Sequence, residues 1–405
     1  MQGIRFRNRN NKILNLAPAR IIVLSFAALI LAGAILLSLP AASRVGKSIG
    51  FLDALFTATS ATCVTGLVVV DTYNHWTLFG QIVILLLIQS GGLGFVTLAS
   101  FFSVILGRKV GLKGMLLAQE SLNHFSFEGI LKLIRQVVII TFGLEIAGAL
   151  ILSTRFVPMF GLKGFYIAIF HAVSSFCNAG FDLMGIMGVG DYLSLVKFNN
   201  DPLVIYTIAL LIIIGGLGFM VWKDLYDLRK KEGLLLHTKV VLIITVFLIV
   251  TGAALFLVFE SNNPQTMGSL DLFGKLNAAF FQSVTPRTAG YNSLPLNDMR
   301  EISKVLTIIL MFIGAAPGST AGGIKITTFG VLLIAIMSQI RGSEDTIIFK
   351  RRVPHYTVSK ALSITGLAAM WVITITTIVL AIENKPFINV LYEVTSAFGT
   401  VGLST

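Results

Sequence analysis

Two stretches, Ile21 to Leu39 and Val240 to Phe259, run 19 and 20 residues without a charge. At about 1.5 Å of rise per residue each forms a helix of about 30 Å, the hydrocarbon thickness of a bilayer. Lipid offers the backbone no hydrogen bonds, so segments of this kind cross a membrane as helices. Across the chain 55% of residues are hydrophobic and 12% charged. A water-soluble chain of 405 residues with that balance is excluded. The N-terminus lacks a short apolar core followed by a small-residue cleavage site, so the first span is expected to be retained as a helix.

The net charge of +12 raises nucleic acid as a partner, but its placement points to a membrane. Four clusters of five basic residues begin at Arg5, Arg108, Lys223 and Arg341 and end at Arg20, Arg135, Lys239 and Lys360. They hold 20 of the 31 basic residues with 7 acids beside them, a surplus of 13. The intervening segments hold 10 basic and 11 acidic residues. This asymmetry is the positive-inside pattern, which places the clusters and the N-terminus in the cytoplasm and predicts a multi-pass protein of the cell membrane. No nucleic-acid partner is expected.

Between successive clusters the chain must leave the cytoplasm and return. Outward spans are expected near 21–39, 136–154, 240–259 and 361–382, and return spans near 78–106, 203–222 and 304–340. Between each outward and return span lies a shorter apolar stretch: 51–62, 165–176, 275–286 and 387–398. About 12 residues make only about 18 Å of helix, too little to cross, so these read as re-entrant segments. Aligned on a terminal glycine they are ALFTATSATCVTG, AIFHAVSSFCNAG, AAFFQSVTPRTAG and VLYEVTSAFGTVG, ending at Gly66, Gly180, Gly290 and Gly402. An aromatic stands ten residues before the glycine each time: Phe56, Phe170, Phe280 and Tyr392. The expected fold is an all-α membrane protein of four repeats, each a span, a short helix, a glycine loop and a span. Their expected boundaries are 1–107, 108–223, 224–341 and 342–405; the last reads as incomplete, without the expected eighth span, either because the chain is truncated, the favoured reading, or because it departs from the repeat plan.

A re-entrant loop exposes carbonyl groups at membrane depth, which is tolerable where they line a watery path. Four such loops about one axis can present rings of carbonyl oxygens that replace the hydration shell of potassium. Short helices entering from outside also aim their negative dipole ends at a cation. The residues expected to line the path are Val64, Thr65 and Gly66; Asn178, Ala179 and Gly180; Thr288, Ala289 and Gly290; and Thr400, Val401 and Gly402.

The third return span, 304–340, is nearly twice the length of one crossing and must be broken. The break is written between Gly314 and Lys325, where Pro317, Gly318, Gly322 and Gly323 lower helix propensity and Ser319 and Thr320 add small polar groups. It reads as a mobile intramembrane loop. Gly91-Gly92-Leu93-Gly94-Phe95 and Gly215-Gly216-Leu217-Gly218-Phe219 stand at similar depth without proline and read as close helix packing. Lys325 is a basic residue at membrane depth, either functional or snorkelling to the cytoplasmic end of the pore. Glu145 sits inside an outward span with no partner evident in the sequence.

The loops TCVTG, CNAGF, TPRTAGY and GTVGL, with the motif from Gly314 to Lys325, resemble the Trk, Ktr and HKT potassium transporters, and the short N-terminus is most similar to the membrane subunit of bacterial Ktr systems. The resemblance covers the whole chain. It implies a pseudo-tetrameric pore, a homodimer with one pore per subunit, a gating loop below the filter, and a cytosolic ring with nucleotide-binding domains that controls it. In plant relatives a serine at the first filter glycine goes with sodium transport; Gly66 stands there in this chain, which favours potassium. Potassium is thus the expected cargo, sodium a candidate modulating or coupling ion, and no cofactor is expected in the chain.

The rival reading is a sodium-coupled secondary transporter of a small solute, built on discontinuous helices; two inverted halves would mark it, where this chain has four like repeats in one orientation. An enzyme is disfavoured, because His75, His124, His171, His237 and His355 lack ligand spacing and no carboxylate pair lies within the spans. Cys63 and Cys177 read as bystanders. The basic loops 107–135, 223–239 and 341–360 suit either anionic lipid headgroups or an acidic partner surface.

Overall fold

A computed structural model of the protein describes residues 18–94, 97, 130–188, 194–228, 233–343, 345–349 and 351–405. The N-terminal basic cluster up to Lys12, most of the loop 107–135, the first return span beyond Gly94 apart from Thr97, Arg229 to Lys231 and Lys350 lie outside them.

The described residues are mostly helical. Four helices are long and apolar enough to cross a bilayer: α1 (Pro18–Leu37), α4 (Ile130–Phe160), α8 (Leu236–Glu260) and α12 (His355–Ile382). They match the four expected outward spans. Each is followed by a short helix: α2 (Phe51–Thr62), α5 (Lys163–Phe176), α9 (Leu272–Val284) and α13 (Phe387–Gly399). Helix α3 (Leu78–Gly92) starts the first return segment, α6 (Pro202–Leu217) and α7 (Phe219–Asp227) form the second, and α10 (Glu301–Phe312) and α11 (Ile326–Ile340) the third. A two-residue hairpin, β1 (Ile347–Ile348) and β2 (Arg351–Arg352), precedes α12.

Local chemistry sets these ends. Thr77, Asp201 and Asp271 cap α3, α6 and α9 by accepting the amides of Gly80, Val204 and Gly274, and Pro202 occupies the first turn of α6, where its missing amide costs nothing. Helix α13 ends on Thr400 in the left-handed conformation (φ 50°, ψ 54°).

Burial separates the two kinds of helix. The long ones turn residues such as Val23, Leu31, Ile35, Ile146, Leu367 and Ile373 outward. Apolar faces of that extent need lipid or a partner surface against them. The short helices bury their C-terminal halves most: in α5 the run from Ala168 to Phe176 is buried except for Ile169, and it includes His171, Ser174 and Ser175. His171 is packed rather than poised for chemistry, its Nδ1 2.8 Å from the Ile167 carbonyl and its ring stacked on Tyr291.

The second and third return segments are not continuous helices. That was expected of the third, interrupted from Ile313 to Lys325. It was not expected of the second, where α6 and α7 are bent by 91° at Gly218. The glycine pairs do serve close packing: a Cβ on Gly91 would strike the Thr62 carbonyl, one on Gly92 would lie 2.7 Å from Cys177 Sγ, and one on Gly215 would strike the Phe176 carbonyl. The return segments therefore ride on the C-terminal ends of the short helices. What the sequence reading missed is that Gly218 also breaks its helix.

Candidate functional site

Four residues two positions before the aligned glycines adopt left-handed backbone angles: Val64 (φ 50°), Asn178 (57°), Thr288 (72°) and Thr400 (50°). Such a conformation costs a non-glycine residue about 1 kcal/mol or more. Among the described residues only Ser194 and Phe349 share it. The repeated strain marks one backbone shape used four times. In three of the loops the amide between the strained residue and the glycine donates to a helix carbonyl five residues back: Thr65 to Ser60, Ala179 to Ser174 and Val401 to Ser396, each at 2.8 Å. The third loop differs, with Ala289 donating to Thr285 at 3.0 Å.

The glycines close into a ring. A Cβ on Gly66 would lie 2.5 Å from the Ala179 oxygen, and one on Gly180 would lie 2.7 Å from the Ala289 oxygen. One on Gly290 would strike the Val401 oxygen, and one on Gly402 the Thr65 oxygen. Each loop thus faces the carbonyl of the next, and the fourth returns to the first. The predicted residues of all four loops are brought together. On one side the four glycines line a cavity of about 1380 Å³, whose wall also carries Asp71 and Asp182. The Asp182 carboxyl accepts the Met184 amide at 2.9 Å. Burial pushes it up to about 6; the Met184 amide and the Ser194 hydroxyl oppose that shift and the Asp71 carboxylate adds to it.

Behind the ring, side chains tie one loop to its neighbour. Ser174 Oγ donates to the Phe181 carbonyl at 2.7 Å, and the Tyr291 hydroxyl reaches the same carbonyl at 3.2 Å while accepting from Ser175 Oγ at 3.3 Å. Gly402 donates its amide to Ser396 Oγ at 3.1 Å. Cys177 is more than a bystander: it follows the last turn of α5, and its Sγ lies 3.9 Å from both Gln89 Oε1 and Glu145 Oε1. Glu145 thereby finds its surroundings at the back of the second loop.

On the opposite side of the ring from the cavity lies the segment between α10 and α11. Its ends are stitched together, Gly314 donating to Ile324 at 2.9 Å and Ile326 to Ala315 at 3.1 Å. The intervening residues reach two different loops. A Cβ on Gly322 would strike Thr400 Oγ1 and lie 3.0 Å from the Gly399 carbonyl. Thr320 Oγ1 donates to the Phe176 carbonyl at 3.1 Å, at the end of α5. In the ring order the loops after α5 and α13 stand opposite each other, so the segment touches two opposite loops at the ends of their short helices. Ser319 Oγ donates to the Ala316 carbonyl at 2.6 Å, and Gly318 and Gly323 take positive φ, 64° and 67°. Pro317 sits at the tip that meets Gly218, where an added Cβ would lie 2.7 Å from the Pro317 oxygen. Lys325 Nζ donates to the Ala321 carbonyl at 2.6 Å, within the loop.

Residues 5–405 match the family profile described as TrkH, cation transport protein. The chain is 42% identical over 395 residues to the Ktr system potassium uptake protein B of Bacillus subtilis, covering 97% of this chain and 86% of that protein. It is also 42% identical over 388 residues to the Ktr system potassium uptake protein B of Vibrio alginolyticus, covering 95% and 83%. The potassium/sodium uptake protein NtpJ of Enterococcus hirae is 40% identical over 394 residues, covering 96% and 86%. The crystal structure of the potassium transporter TrkH from Vibrio parahaemolyticus shares the fold, with a TM-score of 0.72 at 19% identity over 98% of this chain and 80% of that one.

Proposed function

The chain belongs to the TrkH family of cation transport proteins, and from that premise we propose that it conducts potassium selectively into the cell through the ring of Gly66, Gly180, Gly290 and Gly402. The observation that carries this reading is the closed sequence of glycine and carbonyl contacts around one axis. Carbonyl oxygens of residues 64–66, 178–180, 288–290 and 400–402 would replace the water around a dehydrated potassium ion, and the absence of four side chains leaves them room. The four span and short-helix units act as repeats about that axis, with short helices whose C-terminal ends point their dipoles at the ion.

The segment Gly314 to Lys325 is the gate in this reading. It runs beneath the ring between two opposite loops and obstructs the path at rest. The N-terminus and the basic loops face the cytoplasm, where the chain works as a homodimer with a cytosolic nucleotide-binding ring as regulator. Relatives named as parts of a Ktr system support a membrane component of a larger assembly.

The test is ion flux from purified protein in liposomes at fixed voltage, comparing potassium, rubidium and sodium. Potassium and rubidium should pass and sodium should be rejected. Equal fluxes of sodium and potassium would overturn selective conduction by this ring.

A further inference from the structure

A helix ends with four carbonyls that have no partner within it, and at membrane depth water does not supply one. Helix α6 ends at Leu217 inside the membrane region, so its last carbonyls need donors from elsewhere. The Ile214 carbonyl accepts Trp222 Nε1 at 3.0 Å. The other two with described partners are satisfied by the gate loop: Gly215 accepts the Thr320 amide at 3.4 Å and Gly216 accepts the Ala316 amide at 3.0 Å. The first free amide of α7, on Phe219, donates in return to the Gly318 carbonyl at 2.8 Å.

These same backbone groups have a second set of partners. Were α6 and α7 one straight helix, the amides of Gly218, Phe219 and Met220 would bond the carbonyls of Ile214, Gly215 and Gly216 by the ordinary i to i−4 pattern. Residues Pro202 to Asp227 would then form one span of about 39 Å. Gly218 holds the bent alternative open, because its angles (φ 88°, ψ 146°) lie in a region that is essentially glycine's alone. The docked loop and the straight helix compete for one set of hydrogen bonds, so both cannot exist together.

We infer that the break at Gly218 and the loop Gly314 to Gly323 form one two-state element, in which the loop blocks the path while it caps a bent α6–α7 and leaves it as α6–α7 straightens. Gly218 is then a positioning residue that sets the balance between the two states. Either state gives the Ile214, Gly215 and Gly216 carbonyls a donor and the Phe219 amide an acceptor, which makes the change a switch between alternatives instead of a gradual loosening. Straightening also swings α7, and the loop that follows it, relative to the membrane plane, which gives a cytosolic partner a lever. The inference rests on reading the loop as the gate, and the following experiment separates the two.

Spin-labelled amino acids at Leu210 and Tyr226, both exposed, report the bend in the full chain in liposomes: about 17 Å between backbone positions for two arms at a right angle, about 24 Å for a straight helix. Potassium flux is measured on the same samples. Gly218→Ala removes the glycine-only conformation and sets a methyl against the Pro317 carbonyl, so the long distance should dominate and basal flux should rise at least tenfold. Deleting Gly318 to Ala321 should lengthen the distance as well, since the Gly215 carbonyl loses the Thr320 amide and the Phe219 amide loses the Gly318 carbonyl. Thr320→Val, which removes only the bond to Phe176, should enlarge the long-distance population and the flux by about fivefold and covers the case in which Gly218→Ala does not assemble. Gly366→Ala, where an added methyl meets nothing within 4 Å, should match the wild type in both readouts. A loop-deleted protein that keeps the short distance overturns the inference whatever its flux. A straightened helix with unchanged flux supports the switch and overturns the gate reading instead.

Discussion

Gly66 stands so close to Ala179 that a Cβ on the glycine would lie 2.5 Å from the alanine's carbonyl oxygen. Two loops more than a hundred residues apart in sequence thus share one contact, and a serine at 66 must push that oxygen away or strain a backbone held at φ 88°. Gly66→Ser is expected to lower the potassium-to-sodium flux ratio by tenfold or more, a change of about 1.4 kcal/mol in relative ion stabilisation. Bi-ionic flux measurements in liposomes check it, and an unchanged ratio removes Gly66 from the filter.

Deletion of Gly318 to Ala321 takes away the part of the loop that spans between the Phe176 and Thr400 sides of the ring. Basal potassium flux should rise without loss of selectivity, because the ring carbonyls belong to other segments. A protein that assembles yet passes no potassium would make this segment a structural support.

In the orientation proposed above, the cavity beside the ring faces outside, which predicts a pH dependence. Asp182 titrates near 6, so it is ionised at pH 8 and takes up a proton as the pH falls through that value. Its partner in the wall is the Asp71 carboxylate, and losing one of two negative charges lowers the local cation concentration. Inward flux should therefore fall as external pH drops from 7 to 5. In Asp182→Asn the flux should be low at both values and nearly flat between them; a wild-type pH profile in that variant would exclude Asp182 as the titrating group.

Glu260 closes the end of α8 by accepting four donors: the Arg300 amide at 2.9 Å, Asn263 Nδ2 at 2.7 Å, Thr266 Oγ1 at 2.6 Å and the Ser303 hydroxyl. Glu260→Gln turns one acceptor into a donor that faces other donors in a buried site. The expected cost is about 2 to 3 kcal/mol, seen as a lower Tm of the purified protein, while the ion preference of the remaining folded fraction stays as it was. An unaltered Tm would mean that the site is open to water.

Neutralising Lys350, Arg351 and Arg352 together to Gln tests the basic run before α12 as a contact for the proposed cytosolic partner. Arg352 already pairs with Asp345 at 2.7 Å, but an exposed pair of this kind is worth little and leaves the patch basic. Binding of the cytosolic ring should weaken and lose salt sensitivity, with selectivity unchanged. Full binding and regulation in the triple variant would assign these charges to topology and lipid contact.

Much of this architecture is written locally. The long charge-free runs specify α1, α8 and α12, and a long apolar run interrupted only by Glu145 specifies α4, because lipid accepts nothing else of that length, and the aligned glycines with their preceding aromatics place the short helices to within a few residues. Proline and glycine between Gly314 and Lys325 mark the broken span for the same reason: their backbone preferences act within a few residues. The sequence cannot express which carbonyl a glycine faces, since the partners of Gly66 and Gly402 lie in other loops, nor that Gly218 breaks its helix while the similar glycines at 215 and 216 continue it. Those outcomes depend on where free carbonyls find donors at a depth without water. Only the assembled helices, with the loop from Gly314 to Gly323 laid against the end of α6, decide that.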